Sequence, residues 1–232
     1  MLAFVLSATL FSCNNGETKK ESEAKTDSPS TATATPAQPA AFTPFDVMEI
    51  SHQVKDYSKW RPLYNGDSAT RKANGLADIV VGRNLDNENE IEVVLAASDM
   101  AKAKALPNDP KLKEAMDKGG VISKPEVSFW HIVRYNPTPN ENQWVEVSHK
   151  VKDYAAWLKV FDAEGSVKRA TEGLLDVAIG RSPEDSNMVK LVFDITDLAK
   201  VKAAIASEEK KKLMTEAGVV GMPKIVFYKK GE

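Results

Sequence analysis

The chain has 232 residues, 42% of them hydrophobic, and a net charge of −2. This length and composition are typical of one or two globular domains. The small charge argues against a nucleic-acid binder, because the lysines at 210–212 follow Glu208 and Glu209 as on a solvated helix face.

The N-terminal segment, 1–13, is predicted to be a signal peptide. Residues 1–12 are uncharged and mostly apolar, too few to span a bilayer but typical of the hydrophobic region of a signal peptide. The sequence Leu-Phe-Ser-Cys at 10–13 resembles the bacterial lipobox, which implies a lipid attached to Cys13. We therefore expect a bacterial cell-envelope protein, anchored to membrane lipid and either periplasmic or at the cell surface. The alternative is a buried N-terminal segment in which the cysteine is incidental.

A predicted spacer follows at 14–43. Up to residue 41 it is rich in Ser, Thr, Ala, Pro, Glu and Lys and has almost nothing apolar larger than alanine. Such a composition cannot bury enough surface to offset its ordering entropy. It therefore predicts a disordered tether between the lipid and a globular body. No cysteine follows Cys13, so structural disulfides are not expected.

The remainder of the chain repeats itself. The ten residues at 51–60 (SHQVKDYSKW) return at 148–157 (SHKVKDYAAW), an offset of 97. From Gly75 and Gly173 onward the offset is 98. We expect a duplicated unit, with a first repeat at 44–135, a linker at 136–143 and a second repeat at 144–232.

Each repeat is predicted to contain strand, helix, strand, strand, helix and strand. The alternating pattern at 45–54 indicates a strand. Asp56 or Ser58 can cap a helix that ends at Gly75 and carries Trp60 on its apolar face. The other predicted elements of the first repeat are strands at 76–83 and 91–96, a helix after Asp99 that restarts at Pro110, and a strand at 126–133.

The order βαββαβ is that of the ferredoxin-like unit, an α+β fold with helices on one face of a four-stranded antiparallel sheet. In the second strand, Ile79 and Val81 lie on one face and Val80 on the other, so both faces are apolar. The face away from the helices must then be covered as well. We predict that the two repeats pack sheet to sheet as an intramolecular pseudo-dimer.

The repeated motifs resemble those of the dimeric α+β barrel superfamily, especially its small proteins similar to antibiotic-biosynthesis monooxygenases and cyclases. The resemblance covers about residues 45–230 and implies the fold. It implies no single activity, because the superfamily includes monooxygenases, isomerases, dehalogenating enzymes and haem proteins. The motifs are His-x-Val-Lys-Asp-Tyr-x-x-Trp at 52–60 and 149–157, Gly-Leu-x-Asp at 75–78 and 173–176, and Gly-Val-x-x-x-Pro at 120–125 and 218–223.

Two histidines and two aspartates are the candidate catalytic residues. His52 and His149 end the first strands among apolar neighbours, and Asp78 and Asp176 lie in the second strands. One interpretation is proton transfer inside the barrel, by His149 with Asp176 or His52 with Asp78. The other is structural: each ring bonds a backbone carbonyl or a carboxylate, and each aspartate pairs with a histidine or arginine.

The candidate ligand-binding residues are two tryptophans and two arginines. Trp60 and Trp157 are either core residues or a cavity wall that stacks on a planar aromatic ligand. Arg83 and Arg181 end the strands that carry the aspartates, where they can pair with them or bind a ligand. No His, Cys and carboxylate cluster has metal spacing, so neither a metal nor a cofactor is expected, and nothing supports His131 as a ligand of haem or metal.

These observations leave two functional hypotheses. The first is a membrane-tethered lipoprotein whose barrel binds a small apolar or aromatic ligand, or a protein partner, without an assigned reaction. The second is a cofactor-independent enzyme of the monooxygenase, isomerase or cyclase type. The enzyme hypothesis requires a cavity of a few hundred Å3 between the sheets, with a His and an Asp side chain facing into it.

Overall fold

A computed structural model describes residues 42–136 and 142–232. The predicted signal peptide, the lipidation site at Cys13 and nearly all of the predicted spacer lie outside these residues, as does most of the predicted linker.

Each repeat has the predicted order of elements, with its helices divided into shorter pieces. In the described residues, no helix is long and apolar enough to cross a membrane. The first repeat comprises β1 (Phe45–Gln53), α1 (Tyr57–Gly66), α2 (Ser68–Ala73), β2 (Leu76–Asn84), β3 (Glu90–Ala97), α3 (Met100–Ala105), α4 (Pro110–Lys118) and β4 (Glu126–Tyr135). The second comprises β5 (Gln143–Val151), α5 (Tyr154–Glu164), α6 (Ser166–Thr171), β6 (Leu174–Arg181), β7 (Met188–Ile195), α7 (Leu198–Ala206), α8 (Glu208–Glu216) and β8 (Val219–Lys230).

Aspartate side chains begin the first helix of each repeat. Asp56 accepts a hydrogen bond from the backbone N–H of Ser58 at 2.9 Å, and Asp153 caps α5 by accepting one from the backbone N–H of Ala156 at 2.6 Å. The single helix predicted to run to Gly75 is two helices. In the second repeat the break falls at Gly165, whose φ of 80° lies in the left-handed region that interrupts a helix.

The eight strands form one closed antiparallel barrel in the order β1-β3-β2-β8-β5-β7-β6-β4. The two four-stranded sheets are joined along both edges. β2 pairs with β8 between Gly82 and Lys230, and β4 pairs with β6 between His131 and Arg181. The predicted intramolecular α+β barrel of two ferredoxin-like repeats is thus confirmed, and closure removes every free sheet edge.

The core is divided into layers inside and outside the barrel. Helices cover the outer face of each sheet, where Met48 and Trp60 belong to one apolar cluster and Val145 and Trp157 to another. A third cluster, around Trp130, lies inside the barrel. This arrangement produces two kinds of interior space, one beneath the helices of each repeat and one in the barrel lumen.

Candidate functional site

The two candidate histidines point toward the helices and away from the lumen. His52 on β1 is 5% exposed and its ring centroid lies 5.7 Å from that of Trp60. His149 on β5 is 4% exposed and lies 5.7 Å from Trp157. Among the described residues, no group forms a hydrogen bond with either ring nitrogen of His52 or of His149. The structural prediction that each ring bonds a carbonyl or a carboxylate is therefore wrong.

The candidate aspartates are bound by arginines from the second helix of each repeat. Asp78 receives hydrogen bonds from Arg71 at 2.9 and 3.0 Å, and from the hydroxyl of Tyr64. Asp176 receives hydrogen bonds from Arg169 at 2.7 and 2.5 Å. Although burial alone would raise the pKa of Asp78, the hydrogen bonds from Arg71 and Tyr64 lower it. The structure therefore forms an Arg–Asp pair in each repeat, and neither His52 with Asp78 nor His149 with Asp176 forms a hydrogen bond.

A β-bulge explains why the aspartates do not face the lumen. The register of β2 against β3 shifts between Asp78, which pairs with Leu95 of the helix-side core, and Val80, which pairs with Val94 of the lumen. The same shift occurs in β6 after Asp176. Strict alternation would place Asp78 and Val80 on one face, and the extra residue of the bulge separates them.

The arginines predicted to bind a ligand secure the ends of their strands. Arg83 donates to the backbone oxygen of Glu88 at 2.9 Å, and its guanidinium lies 4.2 Å from the ring centroid of Tyr57. Arg181 makes the equivalent contacts with Ser186 and the ring of Tyr154. Neither arginine lines the space beside the histidines or the barrel lumen.

Beneath the helices of the first repeat lies a cavity of about 210 Å3, here called the first-repeat cavity. His52 and Trp60 line it, together with Tyr64 and Arg71. The equivalent second-repeat cavity, beside His149, measures only about 90 Å3. The remaining walls of the first-repeat cavity are mostly apolar and include Ile50, Leu63, Val93, Leu95, Leu106, Leu112 and Met116.

Larger side chains on the last helix and its C-terminal cap account for the smaller second-repeat cavity. At the offset of 98, Ala115 in α4 corresponds to Leu213 in α8, and Gly119 corresponds to Ala217. All four residues line their respective cavities. The extra carbon atoms of Leu213 and Ala217 occupy volume that remains open in the first repeat.

Among the polar residues that line the first-repeat cavity, His52 is the one whose buried side-chain nitrogens lack a hydrogen-bond partner. Burial lowers the pKa of His52 to about 4, so the ring is neutral at pH 7. A neutral imidazole offers one N–H donor and one acceptor nitrogen. Both nitrogens are buried and lack a partner among the described residues, so a hydrogen bond from a ligand in the cavity would satisfy a group that the protein leaves unpaired. His131 on β4 is different, since its side chain is 47% exposed and its Nδ1 lies 2.7 Å from Asp46 of β1.

The lumen contains a charged cluster that the sequence analysis missed, here called the lumen cluster: Glu49, Glu92, Glu146 and Lys190. The Lys190 ammonium bonds to Glu146 at 2.6 Å and also to Glu49. Glu49 further accepts from the indole N–H of Trp130 at 2.8 Å. Carboxylate oxygens of the three glutamates lie within 4.8 Å of one another, as in a metal site, although Lys190 bridges two of them.

The protonation of the lumen cluster follows from its burial. Burial raises the pKa of Glu92 well above its usual range, and the neighbouring Glu146 raises it further. Burial alone would lower the pKa of Lys190, but Glu146 and Glu49 raise it, so the ammonium stays charged. The sequence signal was available: Glu49 and Glu146 are equivalent at the offset of 97, each flanked by apolar residues in a strand.

Comparison with known proteins identifies the fold. No family model and no curated protein matches the sequence. The structure resembles a candidate chlorite dismutase with a TM-score of 0.56 and 12% identity, over 82% of this chain and 96% of that one. It also resembles an anthrone oxidase-like protein, with a TM-score of 0.53 and 12% identity over 81% of this chain and 92% of that one. A candidate monooxygenase from Lactobacillus acidophilus is similar as well, with a TM-score of 0.51 and 13% identity over 80% of this chain and 94% of that one.

These likenesses, together with the strand order, define the class of the protein. The chain is an α+β barrel of the dimeric, ferredoxin-like kind, in which one chain supplies both halves. At 12–13% identity the likeness extends to the fold and not to an activity.

Proposed function

We propose that the protein is a membrane-tethered envelope lipoprotein whose first-repeat cavity binds a small apolar or aromatic molecule. The observation that carries this proposal is His52, a buried neutral imidazole with two unpartnered nitrogens in the wall of an otherwise largely apolar cavity. Leaving buried polar groups unpaired costs about 1–3 kcal/mol each. A ligand that bonds to the ring recovers this free energy, which favours binding.

The size and walls of the cavity define the class of ligand. An apolar cavity of about 150 Å3 binds benzene. The first-repeat cavity, at about 210 Å3, therefore fits a single aromatic ring with a small polar substituent. Trp60 and Tyr64 are stacked at 4.8 Å between centroids and supply an aromatic wall. A phenol matches these features, because its hydroxyl can bond to His52.

Calorimetric titration of the full-length chain with phenol and with toluene tests this proposal. We expect phenol to bind more tightly than toluene, and His52→Phe to abolish the difference. The matched control is His149→Phe, which alters the equivalent histidine beside the smaller cavity and should leave phenol binding unchanged. Unchanged phenol binding in His52→Phe, or its loss in His149→Phe alone, would contradict the proposal.

The membrane tether is a separate part of the proposal and concerns Cys13, outside the described residues. The lipobox-like sequence at 10–13 and the spacer composition support it. We expect the wild-type chain to sediment with bacterial membranes and to incorporate labelled palmitate. Cys13→Ser should release the chain from the membrane, and continued sedimentation of this variant would rule out the lipid anchor. A protein partner remains the other occupant that the first hypothesis allows.

The enzyme alternative would use His149 with Asp176 or His52 with Asp78 for proton transfer. The Arg–Asp pairs described above engage both aspartates, so this chemistry would require the histidine to act without its predicted partner. Turnover of an aromatic substrate that is lost in both His149→Ala and Asp176→Asn would support the alternative. Turnover lost only in His52→Ala would instead assign a reaction to the first-repeat cavity.

A further inference from the structure

We propose that α4 is a lid over the first-repeat cavity, and that a ligand enters and leaves when this helix detaches from the protein. The equivalent helix of the second repeat, α8, is held in place by an ion network. The entry route rests on the function proposed above, whereas the unequal stability of the two helices stands without it and is measured without a ligand.

The helix α4 covers the cavity without being secured by the core. None of its nine residues is fully buried. Leu112 and Met116 are half-buried and line the cavity, and Ala115 lines it although that residue is exposed. Segments with few buried apolar contacts open locally at a low free energy. The packing of α4 therefore favours its detachment before the rest of the repeat unfolds.

Both ends of α4 are attached to fixed parts of the first repeat. Before the helix, the side chain of Leu106 is only 5% exposed. After it, the backbone oxygen of Gly120 accepts a hydrogen bond from the N–H of Lys55 at 2.9 Å. The backbone is extended at Asp109, and Gly120 has a φ of 74°, which suits glycine. The helix is thus a short segment between two points at which the chain changes direction.

The first-repeat cavity reaches solvent beside α4. Leu63 on α1 is 52% exposed, and Ala115 and Lys118 on α4 are also exposed. All three residues line the cavity. His52 lies on the opposite side of the cavity, in the sheet, and is buried. The entrance therefore lies between α1 and α4, and detachment of α4 widens it.

In the second repeat, three side chains connect α8 to α5 and α6, here called the α8 ion network: Lys210, Glu164 and Glu172. The ammonium of Lys210 bonds to Glu172, which follows α6, at 2.7 Å, and also to Glu164 at the end of α5. These side chains are only 14%, 10% and 14% exposed, in the order Lys210, Glu164 and Glu172, so solvent screens their attraction little. Detachment of α8 removes the ammonium from both carboxylates, which opposes opening.

The first repeat has different residues at the positions of the α8 ion network. At the offset of 98, Leu112 stands where the second repeat has its lysine, and Asn74 corresponds to Glu172. At the offset of 97, Asp67 corresponds to Glu164. Only one of the three charges is therefore retained, and no ammonium faces it from the equivalent position on α4.

The ion pairs of α4 lie within the helix itself. Lys113 pairs with Asp117 at 2.8 Å, and Lys118 pairs with Glu114 at 2.7 Å. Among the described residues, no ion pair connects α4 to α1 or α2. Opening of α4 thus exposes a few half-buried side chains and breaks no ion pair to the rest of the repeat, whereas opening of α8 also breaks the α8 ion network.

Amide hydrogen exchange of the full-length chain without ligand tests this difference. A helix of nine residues is not stable by itself, so its amides exchange once it detaches. We expect the amides of α4 to exchange about tenfold faster than those of α8, after correction for their intrinsic rates. Equal protection of the two helices would overturn the proposal.

Two neighbouring lysines provide a matched pair of variants. Lys210→Met keeps the length of the side chain and removes the ammonium of the α8 ion network, so exchange in α8 should approach the rate of α4. Lys211→Met is the control, because the ion pair of Lys211 with Glu208 lies within α8, and exchange should be nearly unchanged. Equal effects of the two variants would show that the network does not hold the helix.

The entry route is tested by building the network into the first repeat with the double variant Leu112→Lys and Asn74→Glu. The association and dissociation rate constants of phenol, measured by NMR exchange spectroscopy, should both fall about tenfold. The dissociation constant should stay nearly the same, because the network favours the closed cavity with or without phenol. Weaker binding with unchanged association would make Leu112 a wall contact only and overturn the entry route.

The wild-type chain provides a second measurement if the double variant does not fold. Saturating phenol should slow exchange in α4 and leave α8 unchanged, since phenol stabilises the closed form of the first-repeat cavity alone. Equal slowing in both helices would contradict the entry route. If phenol does not bind at all, the function proposed for His52 fails, and the exchange rates of α4 and α8 without ligand still decide whether α4 opens.

Discussion

The first repeat has a helix-covered cavity of about 210 Å3, whereas the second repeat, built on the same motif, has one of about 90 Å3. The histidine and tryptophan beside each cavity keep the same separation in both repeats. The difference in volume comes from α4 and α8 and the caps that follow them. The first repeat has Ala115 and Gly119 at these positions, and the second repeat has the larger Leu213 and Ala217. Similar frames can therefore enclose different volumes, because helix side chains set the cavity and the strands set the fold.

The same comparison applies inside the barrel. Glu49 and Glu146 are equivalent and both are carboxylates, while Glu92 and Lys190 are equivalent and differ in charge. A barrel with lysine at both positions would balance its charges, and one with glutamate at both would contain four buried carboxyl groups. The observed combination leaves an asymmetric cluster, so substitutions at Glu92 and Lys190 should have unequal effects.

The largest expected effect is on the free energy of unfolding, which should fall much more in Lys190→Met than in Glu92→Met. Lys190→Met leaves Glu49 and Glu146 buried without their ammonium, and breaking a buried pair in this way costs about 3–5 kcal/mol. Glu92→Met removes a carboxyl group that hydrogen-bonds to Glu146 and has one unpartnered oxygen, so the free energy of unfolding should fall by only about 1 kcal/mol. Urea unfolding at pH 7.5 measures both changes, and similar losses in the two variants would show that the cluster is not asymmetric.

The next effect concerns the two histidines and pH. The pKa of both His52 and His149 is lowered by burial to about 4, against about 6.5 in the unfolded chain. Unfolding therefore takes up protons between these values, and the free energy of unfolding falls as the pH drops from about 6.5 to 4, by up to about 3 kcal/mol per histidine.

Replacing either histidine should remove its share of this dependence. Stability measured from pH 7.5 to 4 should fall less steeply in His52→Phe and in His149→Phe, by similar amounts. Glu92 acts in the opposite direction, because its raised pKa destabilises the folded state as the pH rises. The difference in the free energy of unfolding between each variant and the wild type gives the contribution of that histidine alone. If this difference did not change with pH, the lowered pKa of the histidine would be contradicted.

A smaller effect is expected from exchanging the residues that set cavity size. Leu213→Ala should enlarge the second-repeat cavity and lower the free energy of unfolding by about 1 kcal/mol, since Leu213 is only half-buried. Ala115→Leu should partly fill the first-repeat cavity, weaken phenol binding and raise stability by less than about 1 kcal/mol. Chemical denaturation and phenol titration report the two outcomes, and undiminished phenol binding in Ala115→Leu would place the ligand elsewhere.

The smallest effect is expected at Tyr64, which corresponds to Phe161 in the second repeat. Tyr64→Phe removes one hydrogen bond to Asp78, but Arg71 still binds that carboxylate at two positions. The free energy of unfolding should fall by about 0.5–1 kcal/mol. A loss as large as that of Arg71→Met would show that the hydroxyl, not the guanidinium, holds Asp78.

The fold could be predicted from the sequence because its evidence is distributed over the chain. The duplicated motifs and the apolar character of both strand faces indicated two ferredoxin-like units that cover each other. The candidate site was harder to predict. The bulge after Asp78 reverses the face of that side chain, and no local pattern marks it. Pairing with Arg71 then depends on where α2 crosses the sheet, which is a tertiary feature.

The lumen cluster was missed for a different reason. Glu49 lies between Met48 and Ile50, and one carboxylate does not change the apolar character of the strand as a whole. Its return as Glu146 was a usable signal. The difference in cavity volume has a signal in the sequence, because Leu213 and Ala217 stand where the first repeat has Ala115 and Gly119, but it could be used only once the structure placed these residues in the cavity walls.

Closure of the barrel along β2–β8 and β4–β6 within one polypeptide has a consequence for its behaviour on dilution. A barrel assembled from two chains separates as the protein becomes scarce, and its melting temperature depends on concentration. Here the two halves are covalently connected, so each remains at a high effective concentration relative to the other. The barrel, and with it the lumen, should therefore persist at any abundance, and its melting temperature should not change when the protein is diluted.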